Sequence, residues 1–222
     1  MSKKPLRLLT TLLLLLSLAL CMPAAQAKKP KKGAPGGAGF DYYLLSLSWS
    51  PEFCKSHPTD TQECGAQKQG FVLHGLWPEN ANNSHPANCA TSFQLDDASR
   101  AAGKAIFPNE RLIAHEWQTH GTCSGLSPAD YFAAADGARK SVTVPSELEP
   151  GGKTRKMSAK AIANALRAAN PALTSQSLAV VCTHGELAEV RICLSKSLQP
   201  MSCGSGTRNS CGAGPVRVLG AR

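Results

Sequence analysis

The chain has one long apolar run, Leu8 to Leu20, and nothing later is apolar enough to span a bilayer. That run is shorter than the roughly 20 residues a membrane-spanning helix needs. No two cysteines stand two residues apart, the spacing of a zinc knuckle. No pair of histidines flanks a glutamate four residues apart, the spacing of a zinc-protease helix. No segment repeats another. These absences exclude, in order, an integral membrane protein, a knuckle-type metal module, a metalloprotease helix and a solenoid.

What is present begins with an export signal. Lys3, Lys4 and Arg7 precede the apolar run, and Ala25-Gln26-Ala27 is a small-residue cleavage site. This pattern reads as a signal peptide over 1–27. Residues 28–39, with Lys28, Lys29, Lys31, Lys32 and several Pro and Gly, read as a basic disordered linker. The formal net charge of the whole chain is +9. Removing the three basic residues of the signal leaves +6, and setting aside the four lysines of the linker leaves +2. The basic character is therefore largely a property of an extended arm. Residues 40–222 are long enough for one domain with its own core. That domain keeps eight cysteines, and an even count in an exported chain argues for disulfides. Eight cysteines allow 105 pairings, and spacing does not choose among them.

Alternation predicts a strand over 40–49, with Tyr42, Leu44 and Ser46 on one face and Tyr43, Leu45 and Leu47 on the other. A second strand is predicted over 70–74, turning at Gly75 and Pro78 into an Asn- and Pro-rich loop over 78–91. Helices are predicted from Leu112 to about Gln118, from Ser127 to about Ala135, and over 159–169 behind Ser158. Strands over 177–182 and 187–194 flank a turn at Thr183-His184-Gly185. Strands with interleaved helices that do not strictly alternate give an α+β fold.

Two segments concentrate chemistry: Phe71-Val-Leu-His74-Gly-Leu-Trp77-Pro78 and His115-Glu116-Trp-Gln-Thr119-His120-Gly-Thr-Cys123. Imidazole and carboxylate make a poor core unless paired, but suit proton transfer near neutral pH. His115 and His120 are five apart, about 140° around a regular helix, so they are not expected to chelate one ion. Glu116 and His120 are four apart and share a face, where the carboxylate would favour a charged imidazole. In-line displacement at phosphorus needs proton donor and acceptor on opposite sides, and His74 supplies the second group. With RNA the nucleophile is the neighbouring 2′-hydroxyl, already tethered to the substrate, so no metal or other cofactor is required. His57, His85 and His184, beside Pro or Gly in loops, read as ordinary surface residues.

These two segments, together with Leu47-Ser48-Trp49-Ser50-Pro51-Glu52-Phe53-Cys54 and Glu189-Val190-Arg191-Ile192-Cys193, resemble the ribonuclease T2 family over the whole domain. The resemblance implies an α+β fold, a central antiparallel sheet flanked by helices and stapled by disulfides in a single domain. It implies His120 as general base, His74 as general acid, His115 as a phosphate-binding residue and Glu116 as support for the transition state. Trp77 matches a base-stacking residue and Glu79 a base-pocket carboxylate. The implied disulfides are Cys54–Cys64, Cys89–Cys123, Cys182–Cys211 and Cys193–Cys203. Two positions depart from the pattern. Thr119 stands where many members carry Lys, and Ser48 where some carry Gln. A cation at 119 would offset charge on the phosphoryl oxygens, so lower turnover than in a Thr119→Lys variant is expected.

The implied activity is metal-independent cleavage of single-stranded RNA to 2′,3′-cyclic phosphates and then 3′-phosphates, with little base specificity. The implied protein is a periplasmic or secreted monomer, off the membrane once its signal is removed, with the compact form of a bacterial member. Two alternatives stand beside it. One is an RNA-binding or toxin-like protein on the same scaffold with incidental catalysis. The other is a zinc hydrolase, which the histidine spacing disfavours.

Overall fold

The computed structural model describes residues 39–65, 68–91 and 94–221. The signal peptide and all of the linker except Gly39 lie outside the described residues. In chain order the elements are β1 (Tyr42–Trp49), α1 (Ser50–Ser56), α2 (Thr61–Cys64), β2 (Phe71–Glu79), α3 (Asp97–Lys104), α4 (Glu110–Thr119), α5 (Pro128–Lys140), β3 (Arg155–Met157), α6 (Ala159–Ala169), β4 (Leu178–Thr183), β5 (Glu186–Leu194) and β6 (Val216–Val218). Short 3₁₀ turns occupy Gly121–Cys123 and Ser146–Leu148.

Strand β1 lies between β2 and β5, antiparallel to both, and β4 pairs antiparallel with β5. The sheet is mixed rather than wholly antiparallel, because β6 meets β5 in parallel where Glu186 faces Arg217. The β4–β5 hairpin turns on His184 and Gly185, both at positive φ (50° and 76°). Two such residues in succession match the right-handed twist of the strands they join.

Period-2 alternation splits the sheet into two faces. Leu45, Leu47, Leu73, Leu76, Val190 and Ile192 enter the main core, with Trp117 from α4, Phe132 from α5 and Leu166 from α6. The other face carries Ser48 opposite Glu189 and Ser46 opposite Arg191, then a second small apolar cluster where Leu44 lies opposite Trp77 and Cys193. One face is thus the main core, and part of the other presents polar groups.

The second strand does not turn at Gly75 and Pro78 but continues to Glu79. It can do so because β2 ends the strand order, and a proline without an N–H is tolerated on an edge strand. Helix α5 runs past Ala135 to Lys140, since Tyr131, Phe132, Ala135 and Ala138 form one buried stripe that carries it over Gly137. Helices α1 and α2 and strands β3 and β6 carry little periodic signal. They are short, and tertiary packing decides them. Four disulfides close: Cys54–Cys64, Cys89–Cys123, Cys182–Cys211 and Cys193–Cys203.

Candidate active site

His74 sits on an irregularity that only the sheet reveals. Ser46 pairs with Gly75 and Leu47 with Leu73, so His74 is the extra residue of a β-bulge. A bulge breaks the alternation locally and re-aims a side chain. Here it sets His74 against β5, where Nδ1 bonds Glu189 Oε1 at 2.8 Å. The other Glu189 oxygen, Oε2, accepts from Arg191 Nε at 2.8 Å and from Ser46 Oγ at 3.2 Å. Burial works against the charge of Glu189. The bond from His74 and the charges of Arg191 and His74 outweigh it and hold the carboxyl down at about 2. Burial also disfavours a charged His74, but the bond and charge of Glu189 win and raise its pKa.

The opposite wall comes from α4. Asn109 caps the helix by accepting from the Arg111 N–H, and Ile113 and Trp117 anchor it in the core. Glu116 is fully buried, and its Oε2 accepts from Trp77 Nε1 at 2.8 Å. Its Oε1 is buried without a hydrogen-bond partner among the described residues. Burial raises Glu116 to about 7, against the opposing pull of the His74 charge and the Trp77 bond. Gly75 is required here, since a Cβ on it would collide with both Glu116 Oε2 and Trp77 Nε1.

The helix stops at Thr119, and His120 is its C-cap, its N–H still donating to Glu116 O at 3.0 Å but with φ stretched to −115° at ψ −48°. This overturns the expectation from regular helical angles that His115 and His120 stand apart. Donor atoms of His115, Glu116 and His120 all lie within 4.8 Å of one another. Three such groups can in principle hold a divalent cation. The expected direct pairing of Glu116 with His120 is replaced by the bond from Glu116 to Trp77. His120 Nδ1 is buried without a partner among the described residues, so the ring is disfavoured as a cation. Burial, then the charges of His115 and His74, lower its pKa to about 4 rather than raising it.

Trp77 is the centre of the arrangement. Its ring lies 5.0 Å edge-on from His74 and 5.1 Å from His120 at 28°, with the Arg191 guanidinium 5.5 Å from its centroid. The family resemblance gives Trp77 a base-stacking role, but this indole is already engaged with four side chains. Glu79 is also committed: it is buried and bonded to His85 Nδ1. His85, read from sequence as a bare surface residue, is therefore its partner.

His115 is exposed and lines a cleft of about 600 Å³ with His74, Glu189, Ser48, Leu112 and Arg111. Phe53 and His57 stack at 4.2 Å on the wall of the same cleft. Sequence reading missed Glu189 and Arg191 as site residues and saw only a core strand. Their alternation with Val190 and Ile192 puts two charges on one face of a buried strand, and that was the available signal.

The Ribonuclease T2 family matches residues 40–203. A ribonuclease of Aeromonas hydrophila is 45% identical over 116 residues, covering 52% of this chain and 53% of that protein. A probable ribonuclease of Haemophilus influenzae is 32% identical over 188 residues, covering 78% of this chain and 64% of that protein. The chain thus spans about half of the first relative and just under two thirds of the second. A variant of ribonuclease MC1, solved with 5′-UMP, superposes with a TM-score of 0.64 at 24% identity, covering 82% of this chain and 99% of that one. That enzyme comes from the seeds of bitter gourd. Its likeness concerns the fold. The matched region contains both histidine segments and runs from the first strand to the last disulfide cysteine but one, so this chain belongs to the ribonuclease T2 family.

Proposed function

We propose that the chain is an exported endoribonuclease that cleaves single-stranded RNA with little base specificity. Cleavage proceeds by transfer to the ribose 2′-oxygen, giving a 2′,3′-cyclic phosphate that is then hydrolysed to a 3′-phosphate. One observation carries the reading. His74 and His120 flank a single indole, and their surroundings push them into opposite protonation states.

Between about pH 4 and neutrality His120 is neutral and can take the 2′-hydroxyl proton. The O2′–P bond forms as the P–O5′ bond breaks. His74, held charged through Nδ1 by Glu189, delivers a proton from Nε2 to the leaving 5′-oxygen. Glu116 has a different part. The Trp77 N–H can only donate, so Oε2 must accept and Oε1 is left to carry the proton. Below about pH 7 Glu116 is therefore a neutral acid with a free O–H to offer a phosphoryl oxygen. His115, exposed on the cleft wall, holds the phosphate.

The export part rests on the signal read over 1–27 and the disulfides of the folded part. No helix among the described residues is long and apolar enough to cross a membrane.

A second reading has one observation in its favour, the convergence of His115, Glu116 and His120 donor atoms. It makes the site a metal-dependent hydrolase. One experiment separates the two: cleavage of mixed RNA by the mature protein in excess EDTA, beside His120→Ala and His74→Ala. Chelator-resistant cleavage to cyclic-phosphate ends, lost in both variants, supports the two-histidine mechanism. Loss of activity in EDTA that returns with added Zn²⁺ supports the metal reading instead.

A further inference from the structure

We propose that Arg191 is a catalytic residue of this site: its guanidinium, clamped by Glu189, binds the non-bridging oxygens of the scissile phosphate as their charge develops. The proposal rests on the RNA-cleavage reading above and assigns the source of a cation at the reacting phosphate.

Displacement at phosphorus concentrates negative charge on the oxygens that neither enter nor leave. Near the reacting centre the α4 wall offers those oxygens His115, neutral Glu116 and Thr119, and its one cation, Arg111, sits in the first turn of the helix, more than two turns from His120. Thr119 makes only a long contact, Oγ1 to His115 Nδ1 at 3.5 Å. On the sheet wall, Arg191 stands in register with Ser46, on the row beside Ser48 and Glu189. Its Nε bonds Glu189 Oε2 at 2.8 Å, while the partner oxygen of that carboxylate holds His74. One carboxylate therefore orients both the proton donor and the cation.

The guanidinium centre lies 5.5 Å from the Trp77 ring centroid, the same ring that both histidines flank. With Nε committed, the terminal nitrogens have no hydrogen-bond partner among the described residues, and the side chain is 32% exposed. A planar fork whose Nη1/Nη2 edge is free suits bidentate binding of phosphoryl oxygens. Arg111 lines the neighbouring cleft, but its side chain is 87% exposed and faces Asp60 Oδ2 at 3.7 Å rather than the Trp77 ring. Glu189 touches no substrate in this scheme. It is a positioning residue acting through His74 and Arg191.

The test measures kcat and KM on a dinucleoside monophosphate for Arg191→Gln, Arg191→Lys, Glu189→Gln and the double variant Arg191→Gln/Thr119→Lys, with thermal melts of each. Arg191→Gln is expected to lower kcat by about 10²–10³-fold with KM changed less than about threefold, the signature of a donor used mainly in the transition state. Arg191→Lys, which keeps the charge but not the fork, is expected to fall between wild type and Arg191→Gln. The double variant is expected to regain at least about tenfold over Arg191→Gln, because a cation restored on the α4 wall serves the same oxygens. Glu189→Gln is expected to lower kcat and to move the alkaline limb of the pH profile toward acid, which mere loosening of the fold would not do. Three outcomes overturn the proposal in proteins that melt like wild type: kcat of Arg191→Gln within about threefold of wild type, a loss confined to KM, or no rescue in the double variant. An inactive His120→Ala beside a fully active Arg191→Gln removes this inference alone. An active His120→Ala removes the reading beneath it.

Discussion

The indole N–H of Trp77 donates to Glu116 Oε2 at 2.8 Å, a bond between residues 39 positions apart. It joins the two histidine-bearing segments directly and decides which oxygen of Glu116 is free. Trp77→Phe keeps an aromatic ring between the histidines, though a smaller one, and removes that donor. A hydrogen bond to a charged group contributes about 1.5–3 kcal/mol, so ionised Glu116 loses about that much support. Activity of Trp77→Phe is expected to persist near pH 5 and to shift its Glu116-dependent limb toward alkali. A pH series of kcat checks this, and an unmoved limb counts against the assignment.

The pH dependence of kcat/KM follows from two opposite shifts. His120 must be neutral, and its lowered pKa of about 4 places the acid limb there. His74 must be charged, and its raised pKa sets the alkaline limb above the ordinary histidine value, with Glu116 losing its proton at about 7. A broad optimum is expected from about pH 4.5 to near neutrality. An acid limb near pH 6.5 would show that burial does not control His120 in the active enzyme.

Glu116 should cost stability at high pH. Its folded pKa of about 7 lies above the ordinary 4.5, so between those values the native state binds more protons than the unfolded chain. Stability contributed by this group is therefore full below about pH 4.5 and falls as pH rises through 7. Glu116→Gln removes the penalty and is expected to be more stable than wild type by on the order of 2 kcal/mol at pH 8, with little difference at pH 4. Its amide can still donate to a phosphoryl oxygen, so it should keep more activity than Glu116→Ala. Denaturant melts at the two pH values, with parallel assays, check both parts.

Cys89–Cys123 ties the loop after β2 to the 3₁₀ turn that follows His120. The same loop is docked by Asn88 N–H to Thr119 O at 2.9 Å and Cys89 N–H to Thr122 Oγ1 at 3.1 Å. Opening this bridge with Cys89→Ser/Cys123→Ser is expected to cost about 3–4 kcal/mol for a closed loop of this length. Activity should fall more steeply than structure, because His120 lies outside the regular helix and depends on this anchor. Mild reduction followed in parallel by RNA cleavage and near-UV dichroism tests the order, and coincident loss would refute it.

Much of this protein is legible along the chain. Alternation gives β1 with its two faces and the position of β5. The caps Ser127 and Ser158 give the starts of α5 and α6. The two histidine segments identify His74, His115, Glu116 and His120 as candidates, because such residues are costly to bury without a purpose. These are signals of local period and local chemistry, and they survive without knowledge of what lies opposite.

The tertiary structure decides everything that depends on a partner distant in sequence. The bulge at His74 exists only as a mismatch between β1 and β2. The pairing of eight cysteines among 105 possibilities requires the fold to bring sulfurs together. Glu116 bonds Trp77 rather than His120 because α4 ends at Thr119 and the edge strand lies alongside it. Glu189 and Arg191 read as one more core strand until the sheet sets them against His74 and Trp77. The protonation states follow last, since burial and neighbouring charge come from all three dimensions and no spacing rule along one helix contains them.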